Sequence, residues 1–560
     1  MEKKSNTKTA GTVALLAAII ILQCAVCMAI GFNRQYMFTD EVYSYGLANS
    51  EEYSFLDPGT NTAILEWTGP EYFLNYLQYN EEFPFSFHAA FVNQANDVHP
   101  PLYYCLLHIV CFFMPGLGYS LIPGTVLNAC LLPFIDILIF YIAKYFSKSN
   151  FAAFATVILW AFSSAGLSNA MFIRMYLLVT LWILALVAFH VHFAKQNESK
   201  AKHAGFAYNT AQYIELILII AAGGLTHYYF YFFAASFGLC VCAFLLLQRK
   251  YKLFLAYGSG LWLGVGLALV IFPAALKHIF GYRGEYATDN LGKIDFTKLK
   301  TYVSFIDESM FAGMTGIFIA AIIVTLIWRY IAKPAIKDID WARDTVQIRF
   351  SIPRMQYRRD FAVSITVRLI LFGMLTVALL AFLYVSIQGS EIVNTRYIYP
   401  AYPLLALFAV TIAYKCWRKM KYANIGIVIC AVAFALFGVK VSGLDWAYSD
   451  FAAHATQVPS MYGKDCVIIC RDGKWVNILQ GINLYAKMDE VCCLYESNIN
   501  EIQEILAKRQ TKDDLFVAFY SDANYSEEEK TKILQEILDR TGMTNYDIIY
   551  DYYTVVYAVS

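Results

Sequence analysis

The stretch Gly11–Ile30, GTVALLAAIIILQCAVCMAI, decides the fold class of this chain. A helix rises about 1.5 Å per residue, so a run of this length crosses the roughly 30 Å hydrocarbon core of a bilayer. The run is also longer than the apolar part of a typical signal peptide. Lys3, Lys4 and Lys8 precede it, and basic residues favour the cytoplasmic side. The sequence therefore predicts an uncleaved first span with a cytoplasmic N-terminus.

Composition extends this prediction to the whole chain. Of the 560 residues, 59% are hydrophobic and only 15% are charged, which is far outside the range of soluble proteins. The formal net charge is zero, so no excess of basic residues points to a nucleic acid partner. Further apolar runs lie at 121–146, 151–171, 173–194, 211–226, 228–247, 253–275, 310–332, 366–388, 397–414 and 423–441. With the first run they predict eleven spans, and hence a polytopic α-helical membrane protein.

The segment 99–116, HPPLYYCLLHIVCFFMPG, sets the topology. Its apolar part is only about 15 residues long, short of the roughly 20 residues that a spanning helix needs. If this segment does not cross the membrane, the basic clusters all fall on the cytoplasmic side; they lie at 144–148, 195–202, 249–252, 333–359 and 415–421. If it does cross, they move outside, against the positive-inside bias. We therefore expect a re-entrant or interfacial helix, eleven spans, and an extracytoplasmic C-terminus on a bacterial plasma membrane.

Two domains are expected, with a boundary at 441/442. Residues 1–441 form the transmembrane domain, whose first outer loop is 32–120, and residues 442–560 form an extracytoplasmic α/β domain. Strand patterns at 465–470, 490–497, 513–521 and 546–559 alternate with helical patterns, which predicts a largely parallel sheet. This domain has no G-x-G-x-x-G or Walker sequence, so nothing supports nucleotide binding. Its cysteines match no zinc spacing, and a disulfide cannot be assigned; they are Cys466, Cys470, Cys492 and Cys493.

Two loops are unusual in charge. The first outer loop holds ten acids against Arg34 alone; the acids are Asp40, Glu41, Glu51, Glu52, Asp57, Glu66, Glu71, Glu81, Glu82 and Asp97. We expect a functional site in this long, aromatic-rich loop on the outer face, because loops carry sites on rigid scaffolds. The loop 333–360 is basic and amphipathic, which favours a cytoplasmic surface helix on anionic lipid.

With this topology, polar side chains from distant parts of the chain collect at the outer membrane face. Asp40 and Glu41 follow the first span, within FTDEVYSYG at 38–46. His99, Arg174 and Arg396 suit the phosphate of an anionic lipid headgroup, because arginine binds phosphate in a bidentate manner. The residues expected to line the same site are Tyr43, Asp97, Tyr103, Tyr176, His227, Tyr228 and Tyr397.

Five motifs give the chain a family resemblance: FTDEVYSYGLAN, HPPLYYCLLH, RMY, THYYFYFF and RYIYPAYPLL. They resemble landmarks of the GT-C fold glycosyltransferases, in the branch of the protein O-mannosyltransferases and aminoarabinose-lipid A transferases. The resemblance covers roughly residues 10–440. It implies that a polyprenyl-phosphate sugar donates to an acceptor on the outer face, and that an acid of the first loop is the catalytic carboxylate. Asp40 is then the first candidate and Glu41 the second. Related enzymes often have an aspartate shortly after the RMY turn, where this chain has Leu177, Leu178 and Val179.

The chemistry can also be argued from the residues. The enzyme must hold the charge of the leaving phosphate, deprotonate an acceptor hydroxyl and align the two. One base with direct attack inverts the anomeric centre. Arginine and histidine can supply the positive charge, so no cofactor is required; an Asp-Glu pair can alternatively bind a divalent metal at Asp40 and Glu41. The acceptor is a lipid, a glycan or a protein of the cell envelope.

Simpler interpretations stand beside this one. Adjacent acids after a span can be merely solvated, Arg174 can reach lipid headgroups, and His99 can cap a helix. The tyrosines near His227 can form an aromatic belt. Asp136, within the second span, is expected to make a structural hydrogen bond. The alternative functions are a lipid-linked sugar flippase or transporter, which needs a polar path through the membrane, and a non-catalytic scaffold of the same fold.

Overall fold

The computed structural model describes residues 2–34, 36–50, 65–79, 85–117, 120–200, 209–330, 335–341, 345–351, 361–444, 461–472, 481–509, 515–519, 525–551 and 554–560. Five acids of the first loop lie outside these ranges, namely Glu51, Glu52, Asp57, Glu81 and Glu82.

Helices make up most of the described chain. The first sixteen are α1 (Glu2–Asn33), α2 (Thr39–Asn49), α3 (Pro70–Leu77), α4 (His88–Asn96), α5 (Leu102–Phe112), α6 (Ile122–Ser147), α7 (Asn150–Phe162), α8 (Ser164–Met171), α9 (Tyr176–Lys200), α10 (Thr210–Gly224), α11 (Tyr229–Leu247), α12 (Tyr251–Ile271), α13 (Ala275–Phe280), α14 (Tyr282–Leu291), α15 (Phe296–Phe311) and α16 (Thr315–Tyr330). The remaining ones are α17 (Val367–Gln388), a 3-10 helix (Thr395–Ala401), α18 (Tyr402–Trp417), α19 (Ala423–Ser442), α20 (Ile482–Tyr485), a 3-10 helix (Glu496–Glu501), α21 (Ile502–Ala507) and α22 (Glu527–Thr541).

Eight of these helices in the described part of the chain are long and apolar enough to cross a membrane: α1, α6, α9, α11, α12, α17, α18 with its preceding 3-10 helix, and α19. The count becomes ten if each of two bent pairs is one span. These pairs are α7 with α8, bent by 59°, and α15 with α16, bent by 79°. The prediction of a multi-pass helical membrane protein is confirmed. One expected span remains, that at 211–226. It corresponds to α10, which has only 15 residues.

The segment expected to be re-entrant or interfacial is a short helix. Helix α5 contains 11 residues, so at about 1.5 Å per residue it is roughly half as long as a spanning helix must be. The span expected at 310–332 begins later, at Thr315, because the chain turns sharply after α15. Ala312 and Gly313 adopt positive φ at this turn, which ends one helix before the next begins.

The prediction of a surface helix in the loop 333–360 is wrong. Where the structure describes this region, it forms an antiparallel sheet of three strands, β1 (Ala335–Trp341), β2 (Thr345–Ser351) and β3 (Phe361–Thr366), in the order β1-β2-β3. The physical reason is visible in β2, where Val346, Ile348 and Phe350 alternate with polar residues. Alternation with a period of two is the pattern of a strand, whereas an amphipathic helix repeats every 3.6 residues.

The C-terminal α/β domain contains a five-stranded sheet. Its strands are β4 (Asp465–Cys470), β5 (Val491–Tyr495), β6 (Leu515–Phe519), β7 (Tyr546–Asp551) and β8 (Val555–Val559), in the order β5-β4-β6-β8-β7. The small α/β domain is confirmed, but the expected largely parallel sheet is wrong. Only the β4 pairings with β5 and β6 are parallel. The segment expected to form one strand at 546–559 is two strands, which pair antiparallel with each other and extend the sheet.

Contacts divide the chain into two units. The first contains residues 1–30, 98–103 and 128–445, and the second contains residues 31–97, 104–127 and 446–560. The first outer loop is therefore mostly grouped with the α/β domain, whereas the sequence boundary at 441/442 joins it to the transmembrane helices. This grouping matters for function because the candidate carboxylates belong to that loop.

Backbone and side-chain hydrogen bonds join the loop to the α/β domain within the second unit. Thr68 and Val491 exchange two backbone hydrogen bonds of 2.8 and 2.9 Å as an isolated antiparallel bridge beside β5. The indole Nε1 of Trp67 donates to the carbonyl oxygen of Ile505 at 2.8 Å. The first loop thus contributes to the structure of the α/β domain through contacts that span more than 400 residues of sequence.

Gly46 lets α2 pack closely against α3. A Cβ atom at Gly46 would lie 1.7 Å from Cζ of Tyr76, whose side chain is buried. We expect Gly46→Ala to destabilise the protein by about 1–3 kcal/mol or more, because overpacking forces neighbouring groups to move. The midpoint of thermal unfolding measures this loss. Gly258→Ala is the matched control, since a Cβ at this helical glycine meets nothing within 4 Å; equal destabilisation by both substitutions would contradict the packing argument.

Candidate active site

The candidate carboxylates lie in the first turn of α2. Asp40 is the second residue of this helix and is partly buried, whereas Glu41 is fully buried. A carboxylate at this position is favoured because the backbone N–H groups at a helix N-terminus carry a partial positive charge. Most of the remaining residues of α2 are buried, so the helix that carries Asp40 is held firmly within its unit.

Glu41 has structural partners on both of its oxygens. Oε1 accepts a hydrogen bond from the guanidinium of Arg34 at 2.7 Å, and Oε2 accepts one from the backbone N–H of Phe38 at 2.8 Å. Arg34 is only 9% exposed, so the ion pair is buried. Of the two predicted carboxylates, Glu41 therefore has the environment of a helix cap and buried ion pair. Asp40 is the one that remains partly exposed.

The contacts of Glu41 disfavour the binding of a divalent metal ion by Asp40 and Glu41 together. A divalent ion bound to both Asp40 and Glu41 would have to share Glu41 with the positive charge of Arg34, 2.7 Å from its Oε1, which is electrostatically unfavourable. Within the described ranges, no three His, Cys, Asp or Glu side chains come together as metal ligands.

Two other predicted residues lie in the same unit. Tyr43 is in α2, one turn after Asp40, and is partly buried. Asp97 ends α4, where its backbone N–H donates to the carbonyl of Asn93 at 2.9 Å. The side chain of Asn93 in turn donates to the carbonyl oxygen of Ser50 at 2.6 Å. Asn93, which the sequence analysis did not select, thus holds the C-terminal end of α2 to α4.

The predicted basic and aromatic residues meet in the first unit. The ring centroid of His227 lies 6.1 Å from that of His99 and 5.7 Å from that of Tyr176. Arg174, two residues before Tyr176, is 5% exposed and lies close enough for its charge to affect His227. We call these four residues, His99, Arg174, Tyr176 and His227, the basic cluster. A backbone hydrogen bond of 3.0 Å from Leu102 to the carbonyl of Leu225 joins two of its segments.

His227 is a neutral hydrogen-bond donor in this cluster. Burial, with smaller effects from the nearby His99 and Arg174, lowers the pKa of His227 to about 3, because all three effects disfavour the charged ring. Its Nδ1 accepts a hydrogen bond from the backbone N–H of Tyr229 at 3.1 Å. At neutral pH the single ring proton must therefore sit on Nε2. That N–H is available to an oxygen acceptor beside a fixed arginine charge.

Arg396 adjoins the basic cluster through Tyr397. The guanidinium carbon of Arg396 lies 5.3 Å from the ring centroid of Tyr397, and that ring lies 6.4 Å from Tyr176. Asn394 caps the 3-10 helix that carries both residues, since its side chain accepts a hydrogen bond from the backbone N–H of Arg396 at 3.1 Å. The structure thus brings together most of the predicted donor-binding residues that belong to the first unit.

Two predicted lining residues point to other partners. Tyr103 is fully buried, and its hydroxyl is 3.4 Å from the side-chain oxygen of Asn128. The hydroxyl of Tyr228 is 2.8 Å from Nδ1 of His278. Asn128 also donates to the carbonyl oxygens of Ala170 and Phe172, both at 3.0 Å. It therefore fixes the turn before Arg174; the signal for it in the sequence is a lone amide in an apolar span.

Asp136 does not make the expected structural hydrogen bond. Its side chain is fully buried in α6, and neither carboxyl oxygen has a hydrogen-bond partner among the described residues. Cys24 and Cys27 of α1 lie within electrostatic range of it. A flippase or transporter needs several polar groups along a path through the membrane, and a single buried acid is not such a path.

Comparison with known proteins gives similarity at the level of solved structures only. No protein-family model matches the sequence. A search of curated proteins finds no match. ArnT from Cupriavidus metallidurans bound to undecaprenyl phosphate is 11% identical, with 98% of both chains covered and a TM-score of 0.49. The apo form of ArnT from the same organism is 13% identical, with 98% of both chains covered and a TM-score of 0.48.

The archaeal oligosaccharyltransferase AglB from Archaeoglobus fulgidus, in complex with an inhibitory peptide and a dolichol-phosphate, is more distant. It is 10% identical, with 94% of this chain and 71% of that chain covered and a TM-score of 0.40. ArnT and AglB have the GT-C fold, the class that the sequence motifs resemble. Because all these TM-scores lie below 0.5, the similarity by itself assigns no function to this chain.

Proposed function

We propose that this protein is an inverting glycosyltransferase that moves a sugar from a polyprenyl-phosphate carrier to an acceptor at the outer face of a bacterial plasma membrane. The observation that carries the proposal is the basic cluster. The guanidinium of Arg174 and the ring of His99 both lie close to His227, whose ring is a neutral N–H donor. This combination suits a phosphate, which takes up the charge of arginine and accepts hydrogen bonds from several donors.

In the proposed reaction, the phosphate of the carrier binds the basic cluster, with Arg396 as a further contact. The acceptor hydroxyl loses its proton to the carboxylate of Asp40, and its oxygen bonds to the anomeric carbon as the bond from that carbon to the phosphate oxygen breaks. The products are an inverted glycoside, polyprenyl phosphate and protonated Asp40. Glu41 contributes by fixing the first turn of α2. The acceptor is a lipid, a glycan or a protein, and the proposal names no sugar.

The test is direct. The purified protein in lipid nanodiscs is incubated with a panel of polyprenyl-phosphate sugars, and the release of polyprenyl phosphate is measured. Turnover of one donor supports the proposal, and turnover of none contradicts it. Labelling of cysteines introduced at positions 40 and 396 provides a second test, because the proposal requires both to react from the extracytoplasmic side.

Arg174→Gln should weaken binding of polyprenyl phosphate by about 10- to 100-fold, since a hydrogen bond to a charged group contributes about 1.5–3 kcal/mol. Binding of polyprenyl phosphate without a sugar is measured by titration in nanodiscs, so the result does not depend on the identity of the donor. Arg418→Gln, at an exposed position after α18, is the control and should bind like the wild type. Equal affinity of the Arg174 variant and the wild type would remove Arg174 from the site.

A further inference from the structure

We infer that Asn483, in α20 of the C-terminal domain, is a positioning residue for the carboxylate of Asp40; the inference rests on the proposed function. Its starting point is a pair of hydrogen bonds. The side-chain Nδ2 of Asn483 donates to the carbonyl oxygen of Met37 at 2.9 Å, and the backbone N–H of Met37 donates to Oδ1 of Asn483 at 3.0 Å. Asn483 is 5% exposed and Met37 is fully buried.

Only a primary amide can make this pair of bonds. It offers a donor and an acceptor side by side, which match the N–H and C=O of one residue. A carboxylate at this position has no donor, and an aliphatic side chain has neither group. Since Met37 is buried, losing the two bonds leaves its backbone N–H and C=O groups without hydrogen bonds, away from water. The segment that contains Met37 must then shift to find new hydrogen-bond partners for them.

The fixed residue is three positions before Asp40. Between them, the N–H of Phe38 is held by Glu41, which is itself held by Arg34. The first turn of α2 is therefore fixed from two directions, by the buried ion pair on one side and by Asn483 on the other. Asp40 lies in this turn, so the position of its backbone follows that of the fixed residues. A displacement of about 1 Å in a catalytic group can cost about 100-fold in rate.

A second contact joins the residue before Met37 to the α/β domain. The ammonium of Lys487 lies 5.5 Å from the ring centroid of Tyr36, the residue before Met37. Asn483 lies 446 positions after Met37 in the sequence. The C-terminal domain thus acts on the candidate catalytic carboxylate through its backbone, which is a role distinct from recognition of an acceptor.

The first experiment measures the contact without any assay of activity. Hydrogen exchange of peptides that cover residues 36–43 is followed by mass spectrometry for the full-length protein in nanodiscs. In Asn483→Leu we expect exchange in these peptides to be at least tenfold faster than in the wild type, because the protecting contact is gone. Trp67→Phe is the matched control. It removes another hydrogen bond between the loop and the domain, that from Trp67 to Ile505, and should leave residues 36–43 unchanged.

The second experiment measures transfer kinetics. Asn483→Leu should lower kcat by about 10- to 100-fold while KM for the donor changes less than threefold, because the base is displaced and the donor site is intact. Asn483→Gln keeps the donor and acceptor on a longer side chain and should recover part of kcat. It also provides the test if the leucine variant does not fold. Trp67→Phe should keep the kcat of the wild type at temperatures well below its unfolding.

The results distinguish a failure of the inference about Asn483 from a failure of the proposed function. Unchanged exchange in residues 36–43 overturns the inference whether or not the protein is active. With an active wild type, it is also overturned if kcat is unchanged in the Asn483 variants, if KM alone rises, or if Trp67→Phe loses as much kcat. Inactivity of the wild type with every donor contradicts the proposed function instead, and the exchange result then decides whether Asn483 holds the segment before Asp40.

Discussion

Glycosyl transfer is expected to fall by about 10²–10⁴-fold when Asp40 is replaced by Asn, the range that removal of a general base produces. Asparagine has nearly the same shape as aspartate, and the substitution leaves the ion pair of Arg34 and Glu41 in place, so the fold should be retained. The loss should appear in kcat, because the amide cannot take the proton of the acceptor hydroxyl. The measurement is the release of polyprenyl phosphate from the donor identified in the panel.

Asp472→Asn is the control for this substitution. Asp472 is an exposed acid of the α/β domain whose carboxylate accepts hydrogen bonds from Ser497, and its replacement should leave turnover unchanged. Asp40→Glu should retain more activity than Asp40→Asn because it keeps the base but moves it by one methylene. Turnover that is undiminished in Asp40→Asn would remove the proposed base.

The largest effect on stability is expected at the buried ion pair of Arg34 and Glu41. Arg34→Met leaves the carboxylate of Glu41 without its cation in a site where it has no exposed surface. Removing one partner of such a pair costs about 3–5 kcal/mol, because the remaining charge is buried and uncompensated. The midpoint of thermal unfolding in nanodiscs should fall accordingly. The double variant Arg34→Met/Glu41→Leu should be more stable than Arg34→Met alone, since it removes the stranded charge.

The control for this prediction is an exposed pair. Arg540 and Glu536 lie one turn apart on α22 at 2.9 Å and are 38% and 42% exposed. Arg540→Met should change stability by no more than about 0.5 kcal/mol, as is usual for solvent-exposed pairs. A similar small change in Arg34→Met would mean that Glu41 is not as isolated from water as its burial indicates.

Much of the fold could be predicted from the sequence because the bilayer imposes a length on each span. Apolar runs such as 11–31 and 366–388 correspond to helices α1 and α17 with small differences at their ends. The predictions that failed concern segments without this constraint. The loop 333–360 is amphipathic and was expected to form a helix. Its hydrophobic residues instead alternate with polar ones, which is the pattern of a strand. The segment 546–559 contains two strands where one was expected, because no glycine or proline between them signals a break in the sequence.

The candidate site divides in the same way. The motifs selected His99, Arg174, Tyr176 and His227, which the structure brings into one cluster. They did not distinguish Asp40 from Glu41, since adjacent acids look alike in a sequence. Burial and the contact with Arg34 distinguish them.

The sequence by itself determined the class of molecule and the residue types available to the candidate site, because hydropathy and charge are local properties of the chain. Only the tertiary structure decided which side chains contact each other and which backbone groups they bind. Asn128, Asn93 and Asn483 hold backbone groups far away in sequence, and a lone asparagine carries no mark of its partner. Such contacts exist only after folding has brought distant parts of the chain together, so the sequence alone does not predict the positions that fix the candidate site.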